Sequence, residues 1–167
     1  MAERYTVVEQ EKINYRGLFD INELTKNIEK WLRTRSYDKR ILLDEEHVYE
    51  KHKYIHMKWQ PYKKITDYIK FELRIWIYIT NVTSVTKEID GVKKKLNHGD
   101  MDIIIDAFMY TDYENRWENR AMYFFIRTMF DKFIYKMETV KFESMIRDQA
   151  MELKAEISSF LNLYRFY

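Results

Sequence analysis

HKYIH, residues 52–56, sets two histidines four apart, which on a helix would turn both imidazoles to one face within reach of a single metal ion. The surrounding stretch 46–59, EHVYEKHKYIHMKW, has no apolar stripe of period 3.6. Instead Tyr49, Ile55, Met57 and Trp59 share one parity, and Glu50, His52 and Lys58 the other. That alternation predicts a strand, on which four residues cover about 13 Å, too far for one ion. Asp100, Asp102 and Asp106 in DMDIIID form a second group that could hold a cation or move protons. They share a parity opposite Met101, Ile103 and Ile105, and no glycine-bearing calcium loop or histidine partner follows them. They read as the outward charges of a strand. His47 and His98 stand without a Ser, Cys or acid at a spacing that would build a nucleophile and its base.

ENRWENR, residues 114–120, repeats at a spacing of four, so on a helix Arg116 stands above Arg120 and Glu114 above Glu118, with Arg127 joining the arginine row. Such a row can bind phosphate. It can equally pair with the neighbouring acids, each i to i+4 pair contributing about 0.2–0.5 kcal/mol. The three glycines, Gly17, Gly91 and Gly99, are too few and too scattered for a phosphate-cradling loop, a nucleophile elbow or a dinucleotide fingerprint. Cysteine is absent, which excludes thiolate catalysis, cysteine-ligated zinc and disulfides. The expectation is a protein that is not an enzyme, with no catalytic residue, no metal and no cofactor.

Those residues must be held by a fold, and the chain has the material for one. Its 167 residues suit a single domain, 1–167, and hydrophobic residues make up 46% and aromatics 17%. Twenty-nine Lys and Arg against 27 Asp and Glu leave a net charge of +2, so any basic surface is local. The amino terminus, MAERYTVVEQEKI, has no apolar run, and no stretch of about 18 apolar residues occurs anywhere. A cytoplasmic protein without membrane insertion is expected.

Residues 4–16 alternate loosely and predict a first strand, ending before Gly17. Asp20 then stands as an N-cap with Glu23 three residues on, ahead of Ile21, Leu24, Ile28, Trp31 and Leu32 at helical spacing; this predicts a helix over about 20–35. A strand over 46–59 follows, and Gln60-Pro61 turns the chain. KFELRIWIYIT, residues 70–80, lies in the strongest strand signal, about 66–81. Asp90-Gly91 between TSVTKEI and VKKKL predicts a two-residue hairpin. Asn97-His98-Gly99-Asp100 predicts another turn, leading into the strand MDIIIDAFMY. From about 117 the period becomes helical, with Met122, Phe125, Ile126, Met129, Phe130, Phe133, Ile134 and Met137 on one stripe. A break is expected near 138–141, followed by a further helical piece, within about 139–167, carrying Met145, Ile146, Leu153, Ile157, Phe160 and Leu161. The fold class is therefore α+β.

This order, a strand, a helix, a meander of antiparallel strands and a long carboxy-terminal helix, resembles the START-like, helix-grip superfamily of polyketide-cyclase and lipid-transport-like domains. The resemblance spans the chain as an order of elements and rests on no short motif. It implies a curved antiparallel sheet of about six strands gripping the last helix, with one amino-terminal helix. It also implies a non-catalytic binding protein that holds a hydrophobic small molecule between sheet and carboxy-terminal helix. The matching lining positions are Phe71, Leu73, Ile75, Ile77 and Ile79, with Met101, Ile103 and Ile105, facing Phe125, Met129 and Phe133. Side chains of this size can equally make a filled core. The tract beyond 139 is longer than a grip helix needs, and an extension serving an interface would account for it.

The other parity of the opening strand poses a separate problem. Tyr68, Lys70, Arg74, Trp76 and Tyr78 would lie on the outer sheet face, where a bare Trp76 leaves an apolar patch. Three covers would satisfy it: the extra carboxy-terminal helix, a second copy in a homodimer, or a flat partner such as RNA stacked on the rings. KHKY, PYKK and VKKKL, with Arg116, Arg120 and Arg127, supply local positive charge. The alternative function is thus an interaction module for RNA, a ribonucleoprotein or a protein partner.

Overall fold

Strict alternation over long stretches makes the sheet the dominant element of the computed structural model, which describes residues 3–50, 52–89, 91–113 and 135–164. The elements in order are β1 (Glu3–Phe19), α1 (Ile21–Thr34), β2 (Ile41–Val48), β3 (Lys53–Trp59), β4 (Tyr62–Lys64), β5 (Ile69–Ile89), β6 (Val92–Thr111) and α2 (Tyr135–Leu163). All pairings are antiparallel, in the order β1-β6-β5-β3-β2 with β4 beside β5. The protein is α+β: a curved sheet of six strands with one amino-terminal and one carboxy-terminal helix.

α1 begins where its capping residue places it. The Asp20 carboxylate accepts from the Asn22 and Glu23 amides at 2.9 and 3.1 Å, satisfying two of the donors that a helix start leaves open. Glu23 points to Lys26, 3.6 Å away. Leu24, Ile28, Trp31 and Leu32 form the buried stripe.

Four boundaries differ from the sequence expectation. Residues 46–59 are not one strand but parts of a hairpin, closed where the Tyr49 amide donates to the His52 carbonyl at 2.9 Å. No glycine, proline or asparagine marks that turn, so alternation runs through it unbroken. Asn97-His98-Gly99-Asp100 is not a turn either; it lies inside the continuous β6. Opposite it, the β5–β6 register shifts between Thr80 and Thr83, with Asn81 at φ 54. A Cβ on Gly99 would sit 2.8 Å from the Thr80 carbonyl oxygen, so the glycine serves a close backbone approach at a bulge. β1 runs on through Gly17 to Phe19 because Gly17 pairs with Gly99. Finally, α2 passes unbroken through 138–141, a stretch without glycine or proline to end it. Asp90 of the expected Asp90-Gly91 turn lies outside the described residues; on either side of it Ile89 pairs with Val92, and Gly91 takes φ 76.

The core lies between the sheet's inner face and the two helices. Phe71, Leu73, Ile75, Ile77 and Ile79 pair in register with Met109, Ala107, Ile105, Ile103 and Met101, and all are buried. Ile146, Ala150, Leu153, Ile157 and Leu161, on one stripe of α2, complete the layer. Phe142 meets Phe71 edge to face at 6.4 Å. Polar bonds tie α2 to α1 and to the residues that follow it: Asn27 donates to Glu156 at 3.3 Å, Tyr37 donates to Gln149 at 2.7 Å, and Arg35 pairs with Glu152. Among the described residues no helix is long and apolar enough to cross a membrane.

Candidate ligand groove and the outer sheet face

The lining residues that the helix-grip resemblance implies fall into two groups. Phe71, Leu73, Ile75, Ile77, Ile103 and Ile105 are at most 1% exposed and pack into the core cluster that includes the α2 stripe. Phe125, Met129 and Phe133 lie outside the described residues, as do Arg116, Arg120 and Arg127. The carboxy-terminal tract expected to be an extension is, over its described part, the helix that packs on the inner face.

Among the described residues, space opens beside α1. A groove of about 530 Å³ separates α1 from the β2–β3 side of the sheet. Its helical wall is Ile21, Thr25 and Glu29, spaced by four and therefore one above another on the flank of the buried stripe. Its floor is the inward parity of β3, Ile55, Met57 and Trp59, continued by Val82 just past the β5 bulge. α1 takes α2 as its main packing partner, which leaves this part of the inner face without a helix directly upon it. β2 is exposed along nearly its whole length and forms the far rim with Ile41, Asp44 and Glu46.

The rim charges are largely paired. Lys39 pairs with Glu29 and sits 4.6 Å above the Trp59 ring, and Lys53 meets Glu46 at 2.7 Å. Asp20 is engaged as the α1 cap. The groove therefore combines an apolar floor with hydrogen-bonding groups held around its edge, the make-up of sites that orient an amphipathic molecule.

The outer face is arranged differently from a bare platform. Register puts Lys70, Arg74, Trp76 and Tyr78 opposite Tyr110, Asp106, Ile104 and Asp102. Lys58 stands 5.5 Å above the Trp76 ring, and His56 stacks on Tyr78 at 4.5 Å. Arg74 lies 4.5 Å over Phe108 and 3.2 Å from Glu72. Tyr68 is not part of this row; it precedes β5 and packs against the core. Since α2 packs on the inner face, it is not the cover that Trp76 was expected to need.

The groups considered for chemistry are held by structural partners. His52 stacks on Tyr49 at 5.1 Å, away from His56, whose Nε2 is buried without a hydrogen bond. Among the described residues no three His, Cys, Asp or Glu side chains gather as metal ligands. Each aspartate of DMDIIID ties β6 to the edge strand β1 or its neighbour: Asp106 accepts from the Gln10 amide at 2.7 Å, Asp102 from Asn14, and Asp100 from Arg16 and Asn81. The bonds from Asn81, then Arg16, hold the Asp100 carboxyl below the usual carboxylate range.

Sequence reasoning missed the groove floor and its helical wall. The sequence set Ile55, Met57 and Trp59 on one strand parity and Ile21 on the helical stripe, but no signal within either segment placed the two beside each other. Comparisons with models of protein families, with curated proteins and with solved structures found no match.

Proposed function

We propose that the protein is a non-catalytic binding domain that holds a small, largely hydrophobic molecule in the groove between α1 and the β2–β3 side of the sheet. The observation that carries this reading is the groove itself, whose volume of about 530 Å³ falls within the range of roughly 300–1,000 Å³ usual for ligand pockets. Binding would come from burying apolar ligand surface against Ile55, Met57, Trp59 and Val82, at about 25 cal/mol per Å². The paired side chains of the rim, Lys39 with Glu29 and Lys53 with Glu46, would fix the ligand's polar end. The order of elements supports a helix-grip architecture, with the ligand against the amino-terminal helix instead of the carboxy-terminal one.

The test is a titration with an amphipathic aromatic probe, anilinonaphthalene sulfonate, followed by fluorescence. The wild-type chain should bind it saturably. Thr25→Trp, which puts an indole into the groove from a half-buried position, should weaken binding about tenfold or more with the circular dichroism unchanged. Arg74→Ala with Trp76→Ala should leave it alone. If the outer-face pair removes binding and Thr25→Trp does not, the site is on the outer face and the interaction-module reading replaces this one.

A further inference from the structure

A second pocket, of about 310 Å³, opens at the β4–β5 corner, on the side of the sheet away from the α1 groove. Arg40, Lys64 and Lys70 all line it, with Gln60 and Glu72. The strand register makes Lys64 and Lys70 direct cross-strand partners. Among the described residues neither Arg40 nor Lys70 enters an ion pair.

The carboxylate in the pocket is already committed. Glu72 is 5% exposed, and its Oε1 accepts from Gln60 at 2.7 Å, Tyr110 at 3.1 Å and Arg74 at 3.2 Å. The Arg74 guanidinium balances its charge from outside the pocket lining, so Arg40 and Lys70 keep their positive charge. Lys70 is held by ring faces instead of by an acid: its Nζ lies 4.4 Å from the Tyr110 centroid and 6.0 Å from those of Tyr62 and Tyr113. Aromatic faces orient an ammonium without neutralising it. An arginine and a lysine lining one space are the residue types that bind a phosphate group. Tyr62 and Tyr113, both in the lining, add planar surface beside it.

From these placements we infer that the corner pocket binds a small nucleotide, with its phosphate between Arg40 and Lys70 and its base against the Tyr62 and Tyr113 rings. The volume suits a mononucleotide better than anything larger. This goes beyond the groove on the inner face and does not depend on it.

Isothermal titration of the full chain at low salt with adenosine monophosphate, and separately with inorganic phosphate, tests the inference. Adenosine monophosphate should bind saturably at one site and be displaced by phosphate. Arg40→Ala, an exposed position, and Lys70→Gln should each weaken it by about tenfold, the size expected on losing one charge-assisted hydrogen bond. Tyr62→Leu should weaken the nucleotide and leave inorganic phosphate unchanged. Thr25→Trp and Lys58→Gln should alter neither. Absence of saturable binding by both probes overturns the inference, as does binding that Arg40→Ala and Lys70→Gln leave intact. Phosphate binding equal to that of the nucleotide, with no effect of Tyr62→Leu, overturns the assignment to a nucleotide.

Discussion

Gly99 shows how one side chain, or its absence, bends the sheet that shapes the groove. It faces the Asn81 bulge, and a methyl group there would meet the Thr80 carbonyl oxygen at 2.8 Å, a backbone atom that cannot rotate away. Gly99→Ala should therefore cost about 1–3 kcal/mol, read as a lower urea midpoint. Asp100, next along β6, makes a different prediction. Its carboxyl is held below its ordinary value near 3.9 by Asn81 and Arg16, so its contribution is full above the unfolded value and is lost as pH falls through the folded one. Wild-type stability should decline more steeply below about pH 4 than that of Asp100→Asn; equal slopes in urea midpoints between pH 2 and 6 would contradict this. At this scale Asp20 was legible as a cap because its signal is local. Gly99 was misread because Asn-His-Gly-Asp has the same composition whether it turns a chain or lets two strands approach.

Among the elements, alternation carried far. β5 and β6 keep Phe71 through Ile79 and Met101 through Met109 on one side, and the structure pairs them rung by rung. The β2–β3 turn was invisible because Glu50 and His52, ordinary strand residues by type, occupy it. The break expected near 138–141 came from a change in stripe phase, yet the helix continues and resumes its buried stripe at Ile146. That stripe locks the sheet's inner face. Leu153→Ala, at a fully buried position, should destabilise the protein by about 2–5 kcal/mol. Val140→Ala, where the side chain is 62% exposed, should shift it by no more than about 0.5 kcal/mol. Chemical denaturation of the two variants separates the packed stripe from the solvent side of α2.

For the molecule as a whole, the fold class followed from the sequence, whereas the groove beside α1 was not anticipated there. The aliphatic side chains along β5 and β6 are buried in the layer beneath the described part of α2. The groove instead depends on how α1 docks against α2 and stands beside β3, a long-range arrangement that periodicity within any one segment does not encode. The central claim is that this groove holds a small molecule, and native against denaturing mass spectrometry of freshly purified protein tests it most directly. The account predicts an additional small mass on the native wild-type chain that is lost on denaturation and absent from Thr25→Trp. The same retained mass on both chains, or a bare chain in the wild type, would contradict it.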